Sequence, residues 1–225
     1  MLASGGGSNL DAILDHLESL GDRRGGDVVL VASDRAAAGA LAKASARRIA
    51  QAHIAEPSDG DALDRLLEAH GAELIALAGY LRLVPSGVTR RFRGRIVNVH
   101  PALLPAFGGP GMYGQRAHRA VLASGATVSG VTAHFVDDDY DRGPIIAQWP
   151  VPVLDGDDAA ALAARVLRME HLLYPRIIDA VAAGRLTLDG ARSHSALHGG
   201  TRTAFTLLSR EDSCLAEDIE RALSL

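Results

Sequence analysis

Apolar and polar residues alternate along this chain in two kinds of segment. Short apolar runs rich in β-branched residues have the length of buried strands, and longer stretches rich in alanine and leucine have the length of helices. The predicted strands of the first half are residues 28–31, 74–78 and 96–100. The predicted helices of the same half are residues 10–20, 39–52 and 61–70. Strands that alternate with helices at this spacing indicate βαβ units and a mostly parallel sheet.

The pattern changes after Pro101. Residues 101–116 are rich in glycine and proline and predict a long loop, which a predicted helix at residues 117–124 follows. Two further predicted strands, residues 128–136 and 144–151, are joined by a short acidic turn that favours an antiparallel hairpin. The predicted class is therefore α/β and Rossmann-like, a mostly parallel twisted sheet with helices on both faces and an antiparallel C-terminal hairpin.

A long helix is predicted over residues 159–183. The pair Asp157-Asp158 precedes it and is suited to capping its N-terminus, and Gly184 is a typical terminator. Pro175 lies inside the predicted helix and should kink it or split it in two, because proline lacks the N–H that the helix interior needs.

The two ends of the chain depart from this regular pattern. Residues 1–3 provide only a stub of a first strand ahead of the glycine-rich segment. The periodicity weakens late in the chain, so we expect one domain over residues 1–186 and a C-terminal tail of unknown role over residues 187–225. A short helix is predicted within that tail at residues 215–223.

Composition narrows the class of protein. The chain has 225 residues, 48% of them hydrophobic, which is enough for one sizeable core. The formal net charge is −4 without a lysine or arginine run, which argues against a nucleic-acid partner. Without a stretch of roughly 20 apolar residues or a charged-then-apolar leader, we expect a cytoplasmic protein with no membrane partner. The single cysteine, Cys214, has no metal-ligand spacing around it, so no metal is expected.

Three consecutive glycines precede the first predicted helix, and Gly7-Ser8-Asn9 opens it. Glycine lets a backbone approach a ligand closely, and a helix N-terminus offers unpaired N–H groups to an anion. The spacing matches neither a P-loop nor the dinucleotide fingerprint, which has a third glycine where Leu10 stands here. The segment predicts either a phosphate site or only a flexible connection between strand and helix.

Asn98 and His100 are two residues apart on a predicted strand and therefore face the same side. They lie near its carboxyl end, the edge at which open α/β sheets bind ligands. An amide donor beside an imidazole can stabilise an oxyanion and handle a proton, but a polar pair bonded to the next loop has the same pattern. Asp141 is either a solvated turn residue or, if the fold brings it near, a carboxylate that raises the pKa of His100.

Three other positions each allow a functional and a structural interpretation. Glu170-His171, on the long predicted helix, is of a kind that most often decorates a surface. His134 is of a kind that is most often a hydrogen-bonded strand residue. Arg82 follows a buried strand and either meets an anionic ligand or pairs with a nearby carboxylate.

Together these segments resemble the folate-dependent glycinamide ribonucleotide formyltransferases, in order and over roughly residues 2–186. Residues 98–105 and 141–144 carry the pattern specific to the formyltransferase superfamily. Residues 6–10 and the Glu170-His171 pair narrow the resemblance to the glycinamide ribonucleotide branch. The resemblance implies the formyltransferase version of the Rossmann-like fold.

The resemblance also implies roles for individual residues. The catalytic trio of the family is matched by Asn98, His100 and Asp141. Its ribonucleotide contacts are matched by Gly7, Ser8, Asn9 and Glu170, the first three at the phosphate. Its folate contacts are matched by Leu81, Arg82, Leu83, Val84, Asn98 and Asp141. Arg82 would be the partner of the folate glutamate carboxylate, and residues 137–141 would surround the pterin ring.

The activity implied is transfer of the formyl group of 10-formyltetrahydrofolate to the glycinamide amine of 5-phosphoribosylglycinamide (GAR), in de novo purine biosynthesis. The amine attacks directly and a tetrahedral intermediate forms. Asn98 and a protonated His100 would donate hydrogen bonds to its oxyanion, while Asp141 would keep His100 charged and relay a proton. The partners would be these two small molecules, with no metal, and the protein would be a monomer or a homodimer.

Two kinds of rival remain at this point. Other enzymes that use 10-formyltetrahydrofolate share the trio, but methionyl-tRNA formyltransferases add a C-terminal tRNA-binding domain and formyltetrahydrofolate hydrolases add an N-terminal regulatory domain. A non-catalytic folate- or nucleotide-binding module with a truncated first strand is the rival from another class. The intact set of Asn98, His100 and Asp141 argues against that module.

Overall fold

The computed structural model describes residues 1–190, 192–195 and 221. The helices are α1 (Ser8–Leu20), α2 (Gly39–Ala46), α3 (Gly60–Ala69), α4 (Ser86–Arg91), α5 (Gln115–Ala123) and α6 (Ala159–Ala182). The strands are β1 (Leu30–Ser33), β2 (Ala50–His53), β3 (Ile75–Ala78), β4 (Ile96–His100), β5 (Val128–Phe135), β6 (Ile145–Pro152), β7 (Leu186–Asp189) and β8 (Arg192–Ser195). No helix among these described residues is long and apolar enough to cross a bilayer.

One sheet runs through the molecule, and the N-terminal stub completes it. Leu2 lies between β1 and β3 and forms parallel bridges to Ala32 on one side and Leu77 on the other. The Leu2 amide donates to the Ala76 carbonyl at 2.9 Å, and the Ala32 amide donates to the Met1 carbonyl at 2.9 Å. The order is therefore β2-β1-stub-β3-β4-β5-β6, parallel as far as β4 and antiparallel from β4 to β6. The predicted fold class is confirmed.

Helices cover both faces of the sheet because alternate strand residues point to opposite sides. On β4, Val97 packs in a cluster with apolar residues of α1 and α6, whereas Ile96 packs with residues of α3 and α4. Leu63 of α3 and Ile13 of α1 are each 1% exposed. Burying a side chain of this size contributes about 1.5–3 kcal/mol, so the helices on both faces are held firmly against the sheet.

The prediction of a single helix over residues 39–52 is wrong. Helix α2 ends at Ala46, and Arg48 takes a positive φ of 59° that a helix cannot contain. The chain then extends as β2, whose backbone pairs in parallel with β1. The alanine-rich composition favours helix, but the sheet edge offers backbone partners that override that preference.

The last described elements are the long helix and the short hairpin that follows it. Helix α6 continues through Pro175 without being split. The expected domain boundary at residue 186 falls at the start of β7, which pairs antiparallel with β8 and buries Leu186 in the core. Cys214 and, apart from Arg221, the predicted helix at residues 215–223 lie outside the described residues.

Candidate active site

A cavity of about 470 Å³ opens at the carboxyl ends of the stub, β3 and β4. Its volume is within the range of small-molecule sites, and its position is the usual one in an open α/β sheet. Its lining consists of residues 5–9, 78–81, 98–101, 109–114 and 140–141, and Glu170. The glycine segment and the predicted catalytic trio therefore share one cavity.

The fold brings the acidic turn to the end of β4. Asp141 takes a positive φ of 55° and projects its carboxylate between Asn98 and His100. Asp141 Oδ1 lies 3.5 Å from Asn98 Nδ2, and Asp141 Oδ2 lies 3.5 Å from His100 Nδ1. The Gly109 amide donates to Asp141 Oδ2 at 2.8 Å. Burial would raise the pKa of Asp141, but His134, His100 and the Gly109 N–H outweigh it and lower that pKa.

The carboxylate of Asp141 raises the pKa of His100, as expected, but it does not keep the imidazole charged as the resemblance implies. The side chain of His100 is 4% exposed, and burial lowers its pKa by more than the carboxylate of Asp141 raises it. His100 Nε2 lies 2.8 Å from the carbonyl oxygen of Phe107. A carbonyl only accepts, so Nε2 carries the proton of the neutral ring and Nδ1 presents its lone pair towards Asp141.

The glycine segment is packed tightly against α2. Gly7 has a φ of 75°, and a Cβ added there would lie 2.7 Å from the Cα of Ala40. Only glycine fits such a position without strain. Helix α1 begins directly after it, at Ser8, so the unpaired N–H groups of its first turn border the cavity.

Glu170 reaches the same cavity from the middle of α6. Asn9 donates from Nδ2 to Glu170 Oε2 at 2.8 Å, and both residues are at least nine-tenths buried. Burial raises the pKa of Glu170 to about 7, which the hydrogen bond from Asn9 only partly offsets. Asn9 Oδ1 is buried without a partner among the described residues. Glu170 therefore lines the cavity and is not an exposed surface residue.

The predicted folate wall is only partly in the cavity. Leu81 lines it, whereas Val84 is 2% exposed within the core and Leu83 is 43% exposed. Arg82 Nε donates to Asp34 Oδ2 at 2.9 Å, with the arginine side chain 59% exposed and that of Asp34 1% exposed. Arg82 therefore pairs through Nε with a nearby carboxylate, one of its two predicted interpretations. Its role at the folate stays a prediction.

Several lining residues were not predicted from the sequence. Tyr80 follows β3 at its carboxyl end, a place where the strand-edge rule could have found it. Met112 and Tyr113 lie in a loop, and nothing in their sequence pattern marks them, whereas Tyr140 belongs to residues 137–141, the segment predicted to surround the pterin ring. Within residues 1–190, 192–195 and 221, no His, Cys, Asp and Glu side chains group as a metal site would require.

An amide, an imidazole and a carboxylate at the carboxyl edge of a Rossmann-like sheet define a class of enzyme suited to acyl-type group transfer. The chain belongs to the formyl transferase family, which it matches over residues 1–178. The family expected from the sequence motifs is therefore confirmed.

Two relatives within that family are named phosphoribosylglycinamide formyltransferase. The chloroplastic phosphoribosylglycinamide formyltransferase of Arabidopsis thaliana is 42% identical over 193 residues, covering 83% of this chain and 65% of that protein. The phosphoribosylglycinamide formyltransferase of Escherichia coli is 37% identical, covering 84% of this chain and 88% of that protein. The crystal structure of glycinamide ribonucleotide transformylase 1 from Symbiobacterium toebii matches with a TM-score of 0.78 and 43% identity, covering 86% and 91% of the two chains. This chain thus spans about two thirds of the plant relative's length.

Proposed function

We propose that this protein transfers the formyl group of 10-formyltetrahydrofolate to the glycinamide amine of GAR, a step of de novo purine biosynthesis. The observation that carries the proposal is the meeting of Asn98, His100 and Asp141 in one cavity with the glycine segment. The names of the E. coli and S. toebii relatives support the same reaction.

The two substrates would enter from different sides of the cavity. The GAR phosphate would bind the N-terminus of α1 at Gly7, Ser8 and Asn9, where N–H groups and the helix dipole favour an anion. Glu170, bonded to Asn9, would contact the ribonucleotide beside it. The folate would lie along the segment that begins at Leu81, with its pterin ring at residues 137–141.

The reaction would proceed by direct attack. The amine nitrogen forms a bond to the formyl carbon, the carbonyl electron pair moves to oxygen, and a tetrahedral intermediate results. Asn98 would donate from Nδ2 to that oxyanion. Collapse of the intermediate re-forms the carbonyl and breaks the bond to the folate nitrogen, which must gain the proton that the amine loses. No covalent intermediate with the enzyme is required.

His100 and Asp141 would carry that proton. Burial favours the neutral His100 ring, so its Nδ1 lone pair can accept a proton. Once protonated, the ring would lie beside the carboxylate of Asp141 and near the oxyanion, two negative charges that offset its burial. In this mechanism His100 becomes charged during turnover, whereas the family resemblance implied a His100 that is charged throughout.

The test is a formyl-transfer assay with Asn98→Ala, His100→Ala and Asp141→Asn. Each variant should lose about 10²–10³-fold in kcat, the usual effect of removing one preorganised group at an oxyanion. Asp155→Asn is the matched control, since Asp155 is exposed and does not line the cavity. Wild-type turnover in all three variants would refute the assigned roles. Formate release without GAR would favour a hydrolase, and binding without turnover a non-catalytic module.

The proposal extends to partners and location. GAR and 10-formyltetrahydrofolate would be the partners of a cytoplasmic monomer or homodimer that needs no metal, nucleic acid or membrane. The net charge of −4 without a basic run supports small-molecule rather than nucleic-acid partners. Sedimentation of the purified chain would distinguish monomer from dimer.

A further inference from the structure

We propose that His134 is a positioning residue whose Nε2 lone pair fixes the direction of the Asn98 carboxamide. The inference rests on the proposed function, because it assigns to His134 the task of keeping the oxyanion donor in place. His134 is 1% exposed and does not line the cavity, so it acts through Asn98 rather than on substrate.

The sheet register places the two side chains together. Asn98 on β4 pairs with His134 on β5, and the register shifts between Ala133 and His134 where β5 meets β6. Asn98 Nδ2 lies 3.1 Å from His134 Nε2. A distance in this range is a hydrogen bond, and one of the two nitrogens must therefore accept.

The tautomer of His134 follows from its other contact. His134 Nδ1 lies 2.8 Å from the carbonyl oxygen of Phe135, which only accepts, so Nδ1 carries a proton. In the neutral ring the second nitrogen, Nε2, then has a lone pair and no hydrogen, and the 3.6 Å between Nε2 and Asp141 Oδ1 is too long for a hydrogen bond. Asn98 Nδ2 donates and His134 Nε2 accepts.

The direction of the amide is set by two acceptors on the same side. Asn98 Nδ2 faces His134 Nε2 at 3.1 Å and Asp141 Oδ1 at 3.5 Å. A reversed amide would turn its carbonyl oxygen towards a lone pair and a carboxylate, losing a hydrogen bond and adding two repulsions. The environment therefore holds Nδ2 on the side of the catalytic carboxylate.

This arrangement leaves one N–H of Asn98 available for catalysis. The amide nitrogen has two hydrogens, of which His134 binds one. The contact of the second with Asp141, at 3.5 Å, is longer than a normal N–H···O bond. A negative oxygen on the substrate can replace so weak a partner without moving the amide, which is the preorganisation that an oxyanion donor needs.

Two substitutions separate this role from a purely structural one. His134→Gln places an amide oxygen near the position of Nε2 and keeps the acceptor for Asn98. His134→Asn places its amide near the position of Nδ1 and keeps the donor for Phe135 but not the acceptor. We expect His134→Gln to stay within about threefold of wild-type kcat and His134→Asn to lose about 10–100-fold, with KM for both substrates nearly unchanged.

A double variant tests the path of the effect. In an Asn98→Ala background, His134→Asn should lower kcat by less than about twofold, because the side chain that it positions is already gone. Losses that multiply in the double variant would overturn the proposal. So would the opposite ranking of the single variants, with His134→Asn active and His134→Gln impaired.

A measurement on the wild-type protein does not depend on whether variants fold. The ¹⁵N resonances of His134 should show a protonated Nδ1 and an unprotonated Nε2 at neutral pH, and either the reverse tautomer or a ring protonated on both nitrogens would overturn the proposal. Failure of the proposed function is distinguishable, since it would appear as absent formyl transfer by wild-type enzyme with the tautomer unaffected.

Discussion

Asn9 donates a hydrogen bond to Glu170 across 2.8 Å, joining the first turn of α1 to the middle of α6. The two residues are 161 positions apart in the chain, and both border the cavity. The bond therefore attaches the predicted phosphate segment to the longest helix that packs on the sheet. It also places a carboxyl group where burial raises its pKa to about 7.

Glu170→Gln should change how stability depends on pH. The carboxyl stays protonated in the folded protein up to about pH 7 but in the unfolded chain only up to its ordinary value of 4.5. Stability is therefore lost as pH rises through this window, by about 3 kcal/mol. Glutamine removes that loss, so urea unfolding should show the variant more stable than wild type at pH 8 and nearly equal at pH 5. Exposed Glu56→Gln is the control, and a constant difference at both pH values would contradict the explanation.

Gly7→Ala should impair both folding and GAR binding. An alanine there keeps a φ of 75°, which costs about 1–2 kcal/mol, and its Cβ meets Ala40 at 2.7 Å. Displacing the segment misaligns the N–H groups of α1, so KM for GAR should rise by at least about tenfold while KM for the folate changes little. Gly5→Ala is the matched control for stability, because a Cβ there has nothing within 4 Å and its φ is not positive. Equal melting temperatures for the two variants would refute the steric account.

Asp34→Ala should destabilise the protein more than Arg82→Ala. The Asp34 side chain is 1% exposed and accepts from Ser4 Oγ and from Arg82 Nε, while Ser4 Oγ in turn accepts from the Leu81 amide at 3.0 Å. Removing this buried acceptor leaves the Ser4 hydroxyl without its hydrogen-bond acceptor and should lower the free energy of unfolding by about 1–3 kcal/mol. Removing Arg82, which is mostly exposed, should cost less than about 1 kcal/mol. Urea titration of both variants measures the difference, and equal costs would show that the ion pair dominates.

Asp141→Asn should lower the pKa of His100 further. Burial already holds that pKa below its ordinary value, and the Asp141 carboxylate is the main group that opposes the effect. Replacing the carboxylate by a neutral amide leaves only the hydrogen bond to the Phe107 carbonyl to oppose burial, so the imidazole should titrate at lower pH than in wild type. NMR titration of the His100 ring protons follows this directly. An unchanged or higher midpoint would mean that Asp141 does not act on His100 electrostatically.

The sequence predicts the frame of the molecule well because its signals are local. Gly7 and Asp158 mark helix starts through backbone freedom and capping, and both begin helices here, with the Asp158 side chain accepting from two amides of α6. Strand β2 escapes prediction because the residues before it favour helix and the break at Arg48 has no sequence signal.

The site is harder to predict because it depends on register and burial. Sequence spacing places Asn98 and His100 on one side of a strand, but only the pairing of β4 with β5 brings His134 to Asn98. The sign of the His100 pKa shift depends on how deeply the ring is buried, which no local pattern reports. The family motif correctly predicts Asp141 as a neighbour of Asn98 and His100, but it does not predict the positive φ of Asp141.

The stub at Leu2 joins the two halves of the sheet, and the phosphate segment follows it within a few residues. Local opening of this strand would release the β1–β2 edge and the start of α1 together. A ligand that binds only the closed form stabilises it and so makes that opening rarer. A saturating phosphate ligand should slow amide hydrogen exchange at Leu2 and Ala32 far more than at α5. The reason is that binding at the phosphate segment and closing of the stub strand are coupled in one equilibrium.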